Sequence, residues 1–140
     1  MRVKINTHGN PLPERKGDGD WWDVSASETV HMKKGEMKII PLGISVEVPK
    51  GYLTYILPRS STVLKHKILM GNSMGVIDNA YNGDDDVLGF IAYAIEDTTI
   101  EKGTRIGQMA IYAKPADVNF VPVDSLGNEN RGGYGSTGTK

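Results

Sequence analysis

Apolar residues along this chain recur mostly at period two or in short runs. Ile44, Val46 and Val48 alternate with polar neighbours and stop at Pro49 and the Lys50-Gly51 turn, which predicts a half-buried strand. "YLTYILP" predicts the next strand, ended by Pro58. "VLGFIAYAIED" and "QMAIYAKP" predict two more, "MRVKIN" a first strand, and "NFVPV" a short one interrupted by Pro122. Short strands at this spacing, among 17 Gly and 7 Pro, predict an all-β sandwich or barrel. "SSTVLKHK" opens on two N-cap candidates, Ser60 and Ser61, and lacks Gly and Pro, so it predicts one short helix. The stretch "HGNPLPERKGDGDWW" and the residues after Gly127 read as loose.

Composition narrows the function classes. A chain of 140 residues is one domain by length. Lys plus Arg (16) nearly equals Asp plus Glu (17), for a net charge of −1, which argues against direct nucleic-acid binding through a basic face. There is no cysteine, which excludes disulfide scaffolds, thiolate zinc sites and cysteine nucleophiles. His8, His31 and His66 are too scattered for a paired-histidine zinc motif. The start of the chain has no apolar signal core, and no apolar run approaches about 18 residues. The expected compartment is the cytoplasm, without membrane contact.

Chemistry has four candidate locations. In "PRSST", Pro58 ends a strand, a helix N-terminus presents free N–H groups, and Arg59 adds a guanidinium fork, so the turn suits an anion. A plain strand–cap–helix junction fits the same residues. In "GNSMGVIDNAYNGDDD", Asn82-Gly83 predicts a type I′ hairpin whose arm carries Asp78, a candidate general base, with Tyr81 near the turn. A structural hairpin with a capping Asp fits as well. Asp84, Asp85 and Asp86 alternate faces on a strand and do not converge on one ion. In "TRIGQM", Arg105 and Gln108 interrupt an apolar strand start, and Gln108 can donate an amide hydrogen bond to phosphate. The tail "RGGYGSTGTK" approximates a P-loop, but Lys140 comes one residue late and no helix follows. Its glycines still expose N–H groups that can wrap an anion.

Taken in order, "WWDV", "PRSST", "NSMGVIDNAYNGD", "RIGQM" and "RGGYGSTG" resemble the five motifs of the trimeric deoxyuridine triphosphatase (dUTPase) family, most of all its short bacterial and phage members. The resemblance runs from about Asp20 to Gly138. It implies an all-β, jelly-roll-like β-clip fold with one short helix, in a homotrimer that exchanges its last strand. It implies a barrel core over residues 1–126, and a flexible arm over 127–140 that closes on a site of the trimer. The implied reaction is hydrolysis of dUTP to dUMP and pyrophosphate with Mg²⁺, which limits uracil in DNA and supplies dUMP for dTMP synthesis.

Position by position, Asp78 matches the carboxylate that orients and deprotonates water. Tyr81 matches the ring under the deoxyribose. Asn72 and the backbone of Gly75, Val76 and Ile77 through Asp86 match the groups that read uracil. Arg59, Ser60 and Ser61 match the phosphate turn, and Gln108 a further phosphate contact. Asp23 matches the carboxylate joined to the metal through water. Tyr134 matches the aromatic that covers uracil, Arg131 a γ-phosphate contact, and Gly135, Ser136 and Thr137 phosphate contacts of the closed tail.

Two departures stand out. Trp21 occupies the family's Gly position, and "RGGY" is two residues shorter than the usual tail. The pair Trp21-Trp22 is expected to be buried rather than to form an exposed patch. Two alternatives have their own discriminators. A dCTP deaminase of the same fold needs a glutamate near the base, and none lies between Gly71 and Phe90. A dUTPase-like nucleotide-binding regulator of a partner protein would retain binding and gain a protein contact.

Overall fold

The computed structural model describes residues 1–135 and Gly138. Its elements run β1 (Lys4–Asn6), β2 (Trp22–Ser25), β3 (Val30–Met32), β4 (Met37–Pro41), β5 (Ser45–Glu47), β6 (Tyr52–Pro58), α1 (Ser60–His66), β7 (Ile68–Met70), β8 (Gly75–Ile77), β9 (Gly89–Ala94), β10 (Thr98–Ile100) and β11 (Arg105–Ala113). The all-β expectation holds, with one short helix among the described residues. The strands form antiparallel sheets ordered β2-β11-β6-β8, β4-β9-β7, β1-β5 and β10-β3. The alternating residues of β6, β9 and β11 meet in one core, where Ile40, Ile56, Phe90, Ile100 and Ile106 are fully buried. β11 is the spine of the largest sheet, paired to β2 on one edge and β6 on the other.

Three expectations change. Asn82-Gly83 makes no type I′ hairpin. Gly83 is absent from the positive-φ glycines that such a turn requires, and the turn is instead Gly83–Asp86, with Asp86 N–H donating to Gly83 C=O at 3.1 Å. The Asp86 carboxylate also takes the Gly83 N–H at 2.9 Å, so a local side-chain bond outweighs the dipeptide's turn preference. The chain between β8 and β9 therefore crosses from one sheet to another. "NFVPV" forms no strand, because the exposed segment after Ala113 meets no partner strand; Phe120 is 88 % exposed. Trp21 and Trp22 are not buried. Trp21 packs at a tilt on Tyr112, with ring centroids 5.8 Å apart, and Trp22 lies under the Arg15 guanidinium at 4.9 Å.

Candidate active site

The register shift between Arg105 and Gly107 shapes the site. Residues three apart on a regular strand face opposite sides of the sheet. One extra residue in β11 turns Arg105 and Gln108 to the same side, which is the effect a β-bulge has on side-chain direction. Gly107 sits within this bend, where a Cβ would come within 3.1 Å of Val24 Cγ2. Asp23 pairs opposite Gln108 on β2 and so joins that side.

Asp23 is then held by two guanidinium groups. Arg105 Nη1 lies 2.9 Å from Oδ2 and Arg59 Nε 3.3 Å from Oδ1, with the Asp23 side chain only 12 % exposed. Solvent and salt screen pairs this sheltered less than they screen surface ion pairs. Arg59 Nη1 also donates to Arg105 C=O at 3.3 Å, and Gln108 Nε2 to Pro58 C=O at 3.1 Å.

The turn into α1 is fixed by Thr62, which corrects the expectation for Ser60 or Ser61. Arg59 is the N-cap residue, and the serines already lie inside the helix. The buried Thr62 hydroxyl accepts the Arg59 N–H at 3.0 Å and donates to Ile106 C=O at 2.7 Å, tying the helix start to β11. The helix ends on Lys67 in the left-handed region. Burial, followed by the charges of Arg59 and Lys65, holds His66 below the usual imidazole value.

These groups border a cleft of about 430 Å³, where Asp23, Arg59, Ser60 and Gln108 are joined by Lys16, Asp20 and Trp21. Ser61 is not among its walls. Lys16, which pairs with Glu14, and Arg105 were not among the expected site residues. Lys16 lies in the stretch that reads as loose, where nothing in the sequence singles it out. Arg105 breaks the apolar strand pattern in the sequence, yet only the bulge gives it a direction. Cationic and amide donors around one carboxylate suit an anionic ligand. Among the described residues no three His, Asp or Glu side chains form a ready-made metal cage.

Asp78 lies elsewhere. It follows Ile77, which pairs with Thr54 of β6, whereas Gln108 pairs with Leu57 on the other side of β6. Two strand spacings and about four residues of rise separate them, roughly 15–20 Å. Asp78 is exposed, its backbone C=O accepts the Tyr81 N–H at 3.0 Å, and the half-exposed Tyr81 donates its hydroxyl to Val87 C=O at 3.2 Å. Gly75, Val76 and Ile77 are the three residues of β8, and Asp86 lies in the crossing loop beyond. Asn72 is exposed in the turn before β8 and bonds Met74 C=O at 3.3 Å.

One chain therefore gathers Asp23, Arg59, Ser60 and Gln108, and separately Asp78, Tyr81 and the β8 backbone, without joining the two groups. Arg131, Tyr134 and Gly135 lie on the exposed tail, in which Gly132 and Gly135 adopt positive φ. Ser136 and Thr137 fall outside the described residues.

The chain matches the dUTPase family model over residues 11–139. It is 52 % identical over 140 residues to the deoxyuridine 5'-triphosphate nucleotidohydrolase derived from the SPbeta prophage of Bacillus subtilis, covering 100 % of this chain and 99 % of that protein. A nucleotidohydrolase of the same name from Treponema denticola is 42 % identical, over 93 % of this chain and 92 % of the relative. Among solved structures, the Staphylococcus bacteriophage 80alpha dUTPase with dUPNHPP superposes with TM-score 0.77 at 23 % identity, over 99 % of each chain. The phage phi11 dUTPase, for which a structural Mg(II) ion is described, gives TM-score 0.75 at 19 % identity, over 90 % of this chain and 99 % of that one. The likeness to both phage structures is one of fold.

Proposed function

The chain belongs to the dUTPase family, and from that premise we propose that it hydrolyses dUTP to dUMP and pyrophosphate. The observation that carries this reading is the Asp23–Arg59–Gln108 cleft, built from the motifs that the family match covers. Arg59 and Gln108 bind and orient the triphosphate, with Ser60 and Ser61 in the first turn of α1 beside it. Arg105 holds the Asp23 carboxylate in place at the cleft. Tyr81 lies under the deoxyribose, where a 2′-hydroxyl would lose space and hydrogen-bond partners. The β8 backbone and Asn72 read uracil, because a strand presents both donors and acceptors. Asp78 takes a proton from the water that attacks the α-phosphorus, as the bond to the departing pyrophosphate breaks. The product dUMP feeds dTMP synthesis, and the loss of dUTP limits uracil in DNA.

Mg²⁺ fits the donors present. This ion keeps several waters and needs only one or two carboxylates beside substrate phosphates, and Asp23 and Asp20 border the cleft. Asp23 would hold it through water, and the ion would supply charge neutralisation at the phosphates.

The roughly 15–20 Å between Gln108 and Asp78, from strand spacing and rise, supports a site shared between copies in a homotrimer. The exposed apolar side chains of β4, β7 and β9, Met37, Ile39, Leu69 and Tyr93, suit burial against another copy. The exposed Val118, Phe120, Val121 and Val123 suit exchange of a strand. Residues 127–140 then form an arm in which Tyr134 covers uracil, Arg131 reaches the γ-phosphate, and Gly135, Ser136 and Thr137 contact phosphates.

Pyrophosphate release, compared across dUTP, dTTP, dCTP and UTP with Mg²⁺, tests this reading. Selective release from dUTP is expected. Ammonia from dCTP without pyrophosphate would overturn it.

A further inference from the structure

We propose that His8, Asn6 and Ser45 form a bracket that positions the Tyr81 loop, making them positioning residues for sugar selectivity. The inference rests on the reading of Tyr81 as the ring beneath the deoxyribose. The loop between β8 and β9 belongs to neither strand. Its internal bonds, Tyr81 N–H to Asp78 C=O, Tyr81 hydroxyl to Val87 C=O and Gly83 N–H to the Asp86 carboxylate, give it shape. They do not fix where it sits. Leu88, bonded to Ile44 and Leu42, fixes its end at β9, and two further sets of outside bonds fix the stretch around Tyr81.

At one end the Asn79 amide reaches Val48, Pro49 and Tyr52 C=O at 3.1, 3.0 and 3.1 Å. On the far side of Tyr81, two side chains converge on Asp84, three residues later. The Ser45 hydroxyl donates to Asp84 C=O at 2.7 Å, and Asn6 Nδ2 donates to Asp84 Oδ1 at 2.9 Å. Ser45 is 4 % exposed, so this oxygen has little access to water. Its one hydrogen is committed to Asp84, and it must therefore accept from His8 Nε2, 3.0 Å away. That requirement assigns the Nε2–H tautomer, and the protonated ring makes the same bond.

The bracket is itself anchored. His8 lies in the left-handed region at φ 48, inside a turn closed by Asn10 N–H to Thr7 C=O at 2.8 Å. The Asn6 side-chain oxygen accepts the His8 N–H at 3.0 Å, and the Asn10 amide donates to Gly43 C=O at 3.0 Å. The same Asn6 amide thus joins the His8 turn to the Asp84 carboxylate. A cavity of about 210 Å³ lies between this bracket and the loop, bordered by Asn6, Ser45, Gly83 and Asp84. It gives the loop room to shift once the bracket is cut. A shift of the Tyr81 ring loosens its contact with the deoxyribose, which weakens binding and leaves room for a 2′-hydroxyl.

The test uses the full chain with His8→Ala and Asn6→Ala, both at exposed positions, and with His8→Gln, whose amide nitrogen replaces the Nε2–H donor. Values of kcat and KM are measured for dUTP and UTP. His8→Ala and Asn6→Ala should each lower the dUTP-over-UTP ratio of kcat/KM about tenfold, with KM for dUTP rising and kcat nearly unchanged. His8→Gln should restore the ratio. Tyr81→Ala is measured alongside. If it relaxes selectivity while His8→Ala and Asn6→Ala leave the ratio unchanged, the bracket is overturned and the reading of Tyr81 stands. If His8→Gln fails to restore a ratio lost in His8→Ala, the donor bond is not the cause and the bracket is likewise overturned. If Tyr81→Ala leaves selectivity intact, both fall.

Discussion

Gln108 and Asp78 stand on opposite sides of the same strand, β6, one opposite Leu57 and the other just beyond the Thr54–Ile77 pair. A single chain therefore holds its proposed phosphate-binding groups apart from its proposed base. The separation turns a question about side chains into one about assembly.

The proposed base has a clear signature. Asp78→Asn keeps the size and much of the hydrogen bonding but does not take a proton. Turnover of dUTP should fall by about 10²–10⁴-fold, while calorimetry still detects binding of a non-hydrolysable dUTP analogue. Near-normal turnover removes Asp78 from the role.

The tail separates folding from turnover. Residues 131–135 are exposed and lie outside every strand, so deleting residues 131–140 should leave the melting temperature unchanged. Pyrophosphate release should drop severely in the same protein. Full activity after truncation contradicts the closing arm.

His66 makes a pH prediction. Its imidazole is held below the usual 6.5, so the native state binds fewer protons than the unfolded state. The stability this contributes is complete above 6.5 and is lost as pH falls from there through the lowered native value. Melting curves of His66→Gln and the unmodified protein should lie in the same relation from about pH 8 to neutrality, and the variant should lose less stability toward about pH 5. Parallel loss in both proteins counts against the assignment.

On the central strand β6, the buried Thr54 hydroxyl meets no hydrogen-bond partner among the described residues. Thr54→Val removes that polar atom and keeps the shape. Denaturant unfolding should show a gain of about 1–3 kcal/mol. A loss would mean that the hydroxyl is satisfied in the assembled protein.

Strands long enough to show a period were legible in the sequence, including β6, β9 and β11. β3, β7 and β10 have three residues each and lack the longer flanking alternation of Ile44, Val46 and Val48 that marks the equally short β5. The Asn82-Gly83 hairpin failed because Asp86 and Ser45 offer bonds that no local preference registers. In the cleft, Asp23, Arg59 and Gln108 could be named from their motifs. Their convergence could not, because it depends on a one-residue bulge in β11 and on Thr62 bridging Arg59 to Ile106.

Complementation tests the shared site most directly. Arg59→Ala and Asp78→Asn chains, each inactive alone, are unfolded together and refolded as a mixture. A site that takes Arg59 from one copy and Asp78 from another is then intact in some mixed assemblies. The account predicts recovery of dUTP hydrolysis to roughly a quarter of the unmodified level, the random-pairing value for a site shared by two chains. No recovery, with mixed assemblies demonstrated by differential tagging, would contradict it.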